Sequence, residues 1–123
     1  MQDYRKLQVW EKAHNLVLTI YRKSRDFPKE EQYGLVSQLR RSATSIPSNI
    51  AEGCGRKGDA EFSRFLSFAM GSASELDYQC HLAQDLGYWP NDADYEQIHQ
   101  QIIEIKKMLA ALISRLDVSR LQS

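Results

Sequence analysis

DADYEQIHQQIIEIKKMLAALISRLD, residues 92–117, places Tyr95, Ile98, Ile102, Ile105, Leu109, Leu112 and Leu116 at alternating intervals of three and four. That spacing keeps all seven on one stripe of an α-helix, and an unbroken alternation of this kind is a bundle seam. Reading back from it, residues 59–87 carry Phe62, Phe65, Leu66, Ala69, Ala73, Leu76, Cys80 and Ala83 at helical spacing, with Asp59 as N-cap and Gly87 as the stop. Residues 29–54 carry Val36, Leu39, Ala43, Ile46 and Ile50, opened by Glu30 and Glu31 at the positive end of the helix dipole and stopped by Gly53 and Gly55. Pro47 falls inside that stripe without changing its phase, so one helix kinked at Pro47 is expected rather than two. Residues 7–25 carry Val9, Trp10, Ala13, Leu16, Val17 and Ile20 and end before Phe27-Pro28. The fourth helix spans about 91–117, capped by Asn91 or Asp92. Short connections make neighbours antiparallel. The expected fold is all-α, an up-down-up-down four-helix bundle forming one domain over residues 1–123.

The bulk composition narrows the function classes. With 42% hydrophobic and 26% charged residues the chain is not a disordered polymer. Sixteen Lys and Arg against sixteen Asp and Glu leave no overall charge to attract nucleic acid or membrane. The apolar runs are too short to span a bilayer, and MQDYRKLQVWEK at the N-terminus has no signal-peptide core, so a cytoplasmic location is expected. Cys54 and Cys80 match no metal-ligand spacing.

Three motifs invite chemistry, and the fold argues against each. Gly53-Cys54-Gly55-Arg56-Lys57-Gly58 spells G-x-G-x-x-G, but a dinucleotide fingerprint needs a strand before it, and a helix precedes it here. Glu11/His14 and Glu96/His99 are Glu-x-x-His pairs, with Glu52 and Glu75 on the other two helices, the inventory of a di-iron bundle. The two pairs start opposite ends of antiparallel helices, roughly 15–20 Å apart along the axis at about 1.5 Å per residue. No serine sits in a nucleophile elbow, and neither cysteine has a patterned histidine. No catalytic residue, metal or cofactor is assigned.

Residues off the seams point to association. Phe68, Met70, Tyr78 and Leu82 on helix three, with Ile103, Met108 and Ile113 on helix four, give these helices a second apolar face. One 123-residue bundle has nothing left to cover it, so a homo-oligomer interface at Phe68, Met70, Tyr78 and Leu82 is expected. Beside the stripe of helix two run Gln38, Arg41, Ser45, Asn49 and Glu52, and beside that of helix three Ser72, Glu75 and Gln79. A polar network of Gln38, Arg41, Asn49, Glu52, Ser72 and Glu75 follows, with Arg41 the cation for Glu52 or Glu75. The bland reading of these rows is a solvated face.

Phe27-Pro28-Lys29-Glu30-Glu31, Tyr33-Gly34-Leu35, Ser37-Gln38-Leu39-Arg40-Arg41, residues 45–53 (SIPSNIAEG), Gly71-Ser72 and Glu75-Leu76 together carry a family resemblance. The chain resembles the four-helix-bundle family first seen encoded within intervening sequences of bacterial 23S ribosomal RNA genes. The resemblance spans nearly the whole chain and implies a four-helix bundle, a cyclic homo-oligomer of five subunits, and no established enzymatic activity. Similar bundles include the accessory protein of diversity-generating retroelements, a pentamer that binds nucleic acid and a reverse transcriptase. That relative is generally basic, whereas this chain is neutral.

Charge is unevenly placed nonetheless. Residues 1–57 hold eleven Lys/Arg and six Asp/Glu, and residues 58–123 hold five and ten. Antiparallel packing gathers Arg5, Lys6, Arg56, Lys57, Arg115 and Arg120 at one pole against Asp3, Asp59, Glu61 and Asp117. The other pole gathers Arg22, Lys23, Arg25 and Lys29 against Asp26, Glu30, Glu31, Asp85, Asp92, Asp94 and Glu96. Two readings follow. In the first, a non-enzymatic oligomer meets RNA, DNA or a ribonucleoprotein through Arg5, Lys6, Arg56 and Lys57, because phosphate contact needs clustered cations rather than whole-chain charge. In the second, the chain is a protein-interaction scaffold that binds no nucleic acid.

Overall fold

The computed structural model describes residues 2–122, and side-chain surroundings through residue 119. Four α-helices follow in order: α1 at Gln8–Ser24, α2 at Leu35–Cys54, α3 at Asp59–Asp85 and α4 at Asp94–Gln122. Among the described residues there is no strand. Helices adjacent in sequence pack against each other and α1 closes the ring on α4, while among the described residues no diagonal pair of helices comes into close backbone approach. Partner numbers fall along one helix as they rise along the next. Lys12 meets Glu104 and Lys23 meets Asp94 between α1 and α4. Ser42 meets Glu75 and Ser72 meets Ser45 between α2 and α3. Asp77 meets His99, and Ser63 meets Asp117, between α3 and α4. At the α1–α2 pair, the Gln2 N–H reaches the Cys54 carbonyl at one end and Arg40 reaches Ser24 at the other.

The core is the meeting of the four seams. Leu16 and Ile20 of α1, Leu39, Ile46 and Ile50 of α2, Leu66 and Leu76 of α3, and Ile98, Ile102, Ile105 and Leu109 of α4 are buried almost completely. Losing one such side chain to Ala costs about 2–5 kcal/mol. Pro47 is buried within α2, which runs unbroken through it. Leu112 and Leu116 are only half-buried, and α4 continues past residue 117 to Gln122.

Three helix starts differ from expectation. The second helix begins at Leu35, not at residue 29. After Pro28 the chain makes a separate 3-10 turn at Lys29–Glu31, and Gly34, with ψ near −109°, breaks helical continuity. Glu31 then caps α2 from four residues away, its Oε1 accepting the Leu35 N–H at 3.3 Å. At α3 the capping position is Gly58, with φ +83°, and Asp59 is the first helical residue. The α4 helix opens at Asp94, whose carboxylate folds back to accept the Asn91 N–H at 2.8 Å. The end of α3 follows its glycine signal: Gly87, at φ +75°, lets the Tyr88 N–H reach the Ala83 carbonyl and its own N–H reach that of Gln84.

Aromatic side chains lock the pole where α1 turns into α2 and α3 into α4. Trp89 is buried and donates its indole N–H to the Cys80 carbonyl at 3.1 Å. Phe27 packs edge-on against it with ring centroids 5.0 Å apart, and the Tyr88 hydroxyl donates to Glu31 at 2.9 Å.

Gly53 marks the closest approach of α2 to the start of α3. A Cβ there would stand 3.0 Å from Phe62 Cδ1, 3.0 Å from Phe65 Cβ and 3.3 Å from the Phe62 carbonyl oxygen. Gly53→Ala should lower the Tm by several degrees, because overpacking of about 1–3 kcal/mol outweighs the roughly 1 kcal/mol helix preference for Ala. Thermal circular dichroism decides it, and an unchanged Tm would show that the two helix ends can part at no cost.

Candidate interaction surfaces

The pole built from the start of α1, the α2–α3 turn and the end of α4 holds the four cations assigned to nucleic acid. Arg5 is tied to Asp3 at 3.2 Å, and Arg56 to Glu52 at 3.4 Å, with its guanidinium over the Phe65 ring. Arg64, one turn into α3, is tied to Glu61 at 3.3 Å. Lys6, Lys57 and Arg115 have no carboxylate within ion-pair distance among the described residues, although the charge of Lys6 is felt at Asp3. Arg120 lies outside the residues whose side chains are described. Glu52 and Arg64 therefore join the sequence-based inventory. The described side chains at this pole are Arg5, Lys6, Arg56, Lys57, Arg64 and Arg115 against Asp3, Glu52, Asp59, Glu61 and Asp117. The excess is one positive charge.

Between α2 and α3 the polar rows meet, through different partners than the spacing suggests. Glu75 is exposed and accepts from the buried Ser42 hydroxyl at 3.0 Å. Ser72 donates to Ser45 at 2.9 Å. Asn49 turns back on its own helix to the Ser45 carbonyl at 2.8 Å, and Arg41 donates to Ser37 at 3.2 Å rather than to Glu52 or Glu75. Of the six residues expected in the network, only Ser72 and Glu75 cross to the facing helix, and their partners are serines. Ser42 escaped the sequence reading because a serine inside an apolar stripe carries no signal of its own. Gln38, Arg41, Ser42, Ser45, Glu75 and Gln79 line an open groove of about 410 Å³. Gln79 is buried there, and its Oε1 has no hydrogen-bond partner.

The outer face of α3 carries Arg64, Phe68, Gly71, Glu75 and Tyr78, all exposed, at spacings of four, three, four and three. Phe68 is 44% and Tyr78 64% exposed. Met70 and Leu82, assigned to the same interface, are half-buried and pack against the core.

The histidines do not converge on a metal site. The α1–α4 ion pairs fix the register so that the two Glu-x-x-His pairs lie roughly 9 Å apart along the axis at about 1.5 Å per residue, nearer than the sequence suggests. His14 stacks on Trp10 with ring centroids 5.1 Å apart, while His99 Nδ1 lies 2.7 Å from Asp77. Among the described residues no group of three His, Cys, Asp or Glu could hold a metal ion. Both cysteines are buried and free, and burial pushes both thiols up, Cys80 far more than Cys54. No described helix is long and apolar enough to cross a membrane.

This antiparallel, aliphatic-cored bundle with polar α2–α3 rows defines its class. The chain matches the 23S rRNA-intervening sequence protein family over residues 5–111 and belongs to it. It is similar to a protein of unknown function from the S23 ribosomal protein family of Bacteroides thetaiotaomicron VPI-5482, known from a crystal structure. The two share 30% identity and superpose with a TM-score of 0.76, over 85% of this chain and 97% of that one. No curated protein matches.

At the opposite pole the expected acidic surplus is partly spent internally. Asp94, its side chain 3% exposed, pairs with Lys23 at 2.9 Å. Burial alone would push its carboxyl up, but the hydrogen bonds and charge of Lys23 and the Asn91 N–H outweigh that and hold it below the usual range. A carboxyl lowered on folding contributes stability that is complete above its unfolded pKa, about 3.9, and is lost as pH falls through the folded value. Asp94→Ala should cost about 2–3 kcal/mol at pH 7, less than a fully buried pair because Lys23 can reach water. The difference from wild type should shrink below about pH 4. Urea melts at the two pH values test this, and a pH-independent difference would show that the charge pair is not the cause.

Proposed function

We propose that the chain is a non-enzymatic, homo-oligomeric bundle that assembles through the outer α2–α3 face and presents its basic pole to nucleic acid. The observation that carries the assembly is the exposed Phe68–Tyr78 stripe on the outer face of α3, beside a polar groove. A second copy laid along α3 covers both aromatic rings, which a monomer leaves in water. The family resemblance implies five subunits, a pentamer. A cyclic arrangement repeats Lys6, Lys57 and Arg115 around one rim, so the small excess per chain is multiplied within about one Debye length. The rRNA context in the family description supports a nucleic-acid partner. The buried, free thiols fit both the absence of nucleophilic chemistry and a reducing, cytoplasmic compartment. The scaffold reading has its own support, since Arg5, Arg56 and Arg64 at that pole are each already paired.

Light scattering on the 14.2 kDa chain should give a multiple of that mass, and a monomer at micromolar concentration would end the proposal. Tyr78→Glu should dissociate the particle with its helicity intact, whereas Met70→Glu should unfold it. RNA and single-stranded DNA should be retained at low ionic strength with a steep salt dependence. Reversing Arg56 and Lys57 to Glu should abolish that retention without changing the oligomer. If wild-type protein retains neither nucleic acid, the scaffold reading replaces the nucleic-acid one.

A further inference from the structure

A cluster of cations without ion-pair partners among the described residues lies away from the pole. Two open hollows of about 630 and 440 Å³ adjoin on the α1–α2 face and share Tyr21, Gln32, Val36 and Arg40 as a common wall. Arg41 lines the first hollow, Arg25 and Lys29 the second, and no carboxylate lines either. None of these four cations has a carboxylate within ion-pair distance among the described residues, although Asp26 and Glu30 are close in sequence.

Arg40 is held in place rather than waving in solvent. Its Nε donates to the Ser24 hydroxyl at 3.1 Å, its Nη2 to the Tyr21 carbonyl at 3.3 Å, and its guanidinium lies 4.6 Å from the centre of the Tyr21 ring. The two bonds cap the end of α1 and occupy two of the five guanidinium N–H donors. Among the described residues no other group takes the rest. Tyr33 lines the first hollow and is 95% exposed, the most exposed aromatic residue described. A ring bare to water beside a fixed guanidinium gains by stacking on a flat, electron-rich group that brings a negative charge.

We infer that this α1–α2 cleft is a nucleotide site, in which Arg40, Arg25 and Lys29 hold the phosphate and Tyr33 takes the base. The ligand chemistry is a base linked to a phosphate, offered by a free mononucleotide or by one unit of a single strand. The site is independent of the basic pole, which lies at the other end of α1 and α2.

Adenosine monophosphate, adenosine, inorganic phosphate and a short oligouridylate, each titrated into the full chain and followed by NMR, test it. Adenosine monophosphate should shift the Tyr33 ring and Arg40 Nε resonances saturably, with adenosine and phosphate each about tenfold weaker or worse. Saturation by the oligouridylate but not by the mononucleotide assigns the site to a single strand and still supports it. Tyr33→Ala, and Arg25→Glu with Lys29→Glu, alter exposed side chains, so the fold and oligomer should survive while affinity falls about tenfold. Reversal of Arg56 and Lys57 should leave this binding untouched even where it abolishes retention at the pole. Failure of all four probes to saturate, equal binding of phosphate and the mononucleotide, or unchanged affinity in the Tyr33 and Arg25/Lys29 variants would overturn the inference.

Discussion

Small side chains where α2 crosses α3 set the terms for the rest of the bundle. Ser42, Ala43 and Ser45 on one helix lie level with Ser72 and Ala73 on the other, Gly53 lets the start of α3 approach through Phe62, and this pair shares the most extensive contact in the fold. With so little bulk between the backbones, a serine hydroxyl takes part in each bridge: Ser42 to Glu75 and Ser72 to Ser45. The serine–serine bond contributes about 0.5–1.5 kcal/mol net and the bond to the carboxylate about 1.5–3, and because Glu75 is exposed neither requires a buried charge. The same economy of volume leaves a shallow groove between the two helices, with the buried Gln79 in its lining.

The α1–α4 side is closed by different means. Lys12–Glu104 and Lys23–Asp94 span it at 2.9 Å each, and both cations come from α1. The aromatic lock of Phe27, Tyr88 and Trp89 then fixes the loop entering α2 against the loop entering α4. Because Tyr88 reaches Glu31, and Glu31 in turn caps Leu35, the first turn of α2 is tied to the loop between α3 and α4.

This explains which parts of the fold were legible. The three–four seams report burial directly, so the centres of the core stripes in all four helices could be read, although Tyr95, Leu112 and Leu116 of the α4 seam are only half-buried, and Pro47 could be placed inside one helix. Helix starts could not, because Glu31, Gly58 and Asp94 act through geometry that a linear string does not contain. Glu30 and Glu31 read as the acidic first turn of a helix; the structure makes them a 3-10 turn ahead of it. Charge tallies were legible as tallies only. Arg5 and Arg56 count as free cations in a list, yet each finds a carboxylate two or four residues away. Arg41 sits in a row with Glu52 and still turns to Ser37, a neighbour one helical turn back. The α1–α2 cleft was invisible for a related reason: Tyr21, Tyr33 and Arg40 belong to no common periodicity and meet only because α2 starts late.

The late start of α2 has one more consequence. Had the helix begun at residue 29, Gln32 and Val36 would share a continuous face and Tyr33 would be one exposed position among many on a helix flank. Breaking the chain at Gly34 instead turns residues 29–33 into a short wall across the end of α1, opposite Arg40 and Tyr21. The ion pairs of α1 face α4, so they draw no carboxylate toward this wall, and the hydroxyl pairs of α2 face α3, so they leave Arg40 and Arg41 without an anionic partner. A chain whose sixteen cations and sixteen anions cancel can thus keep an uncancelled cluster, provided each helix commits its opposite charges to a different neighbour. Neutrality in sum and selectivity in place are compatible here because the bundle decides which charges meet.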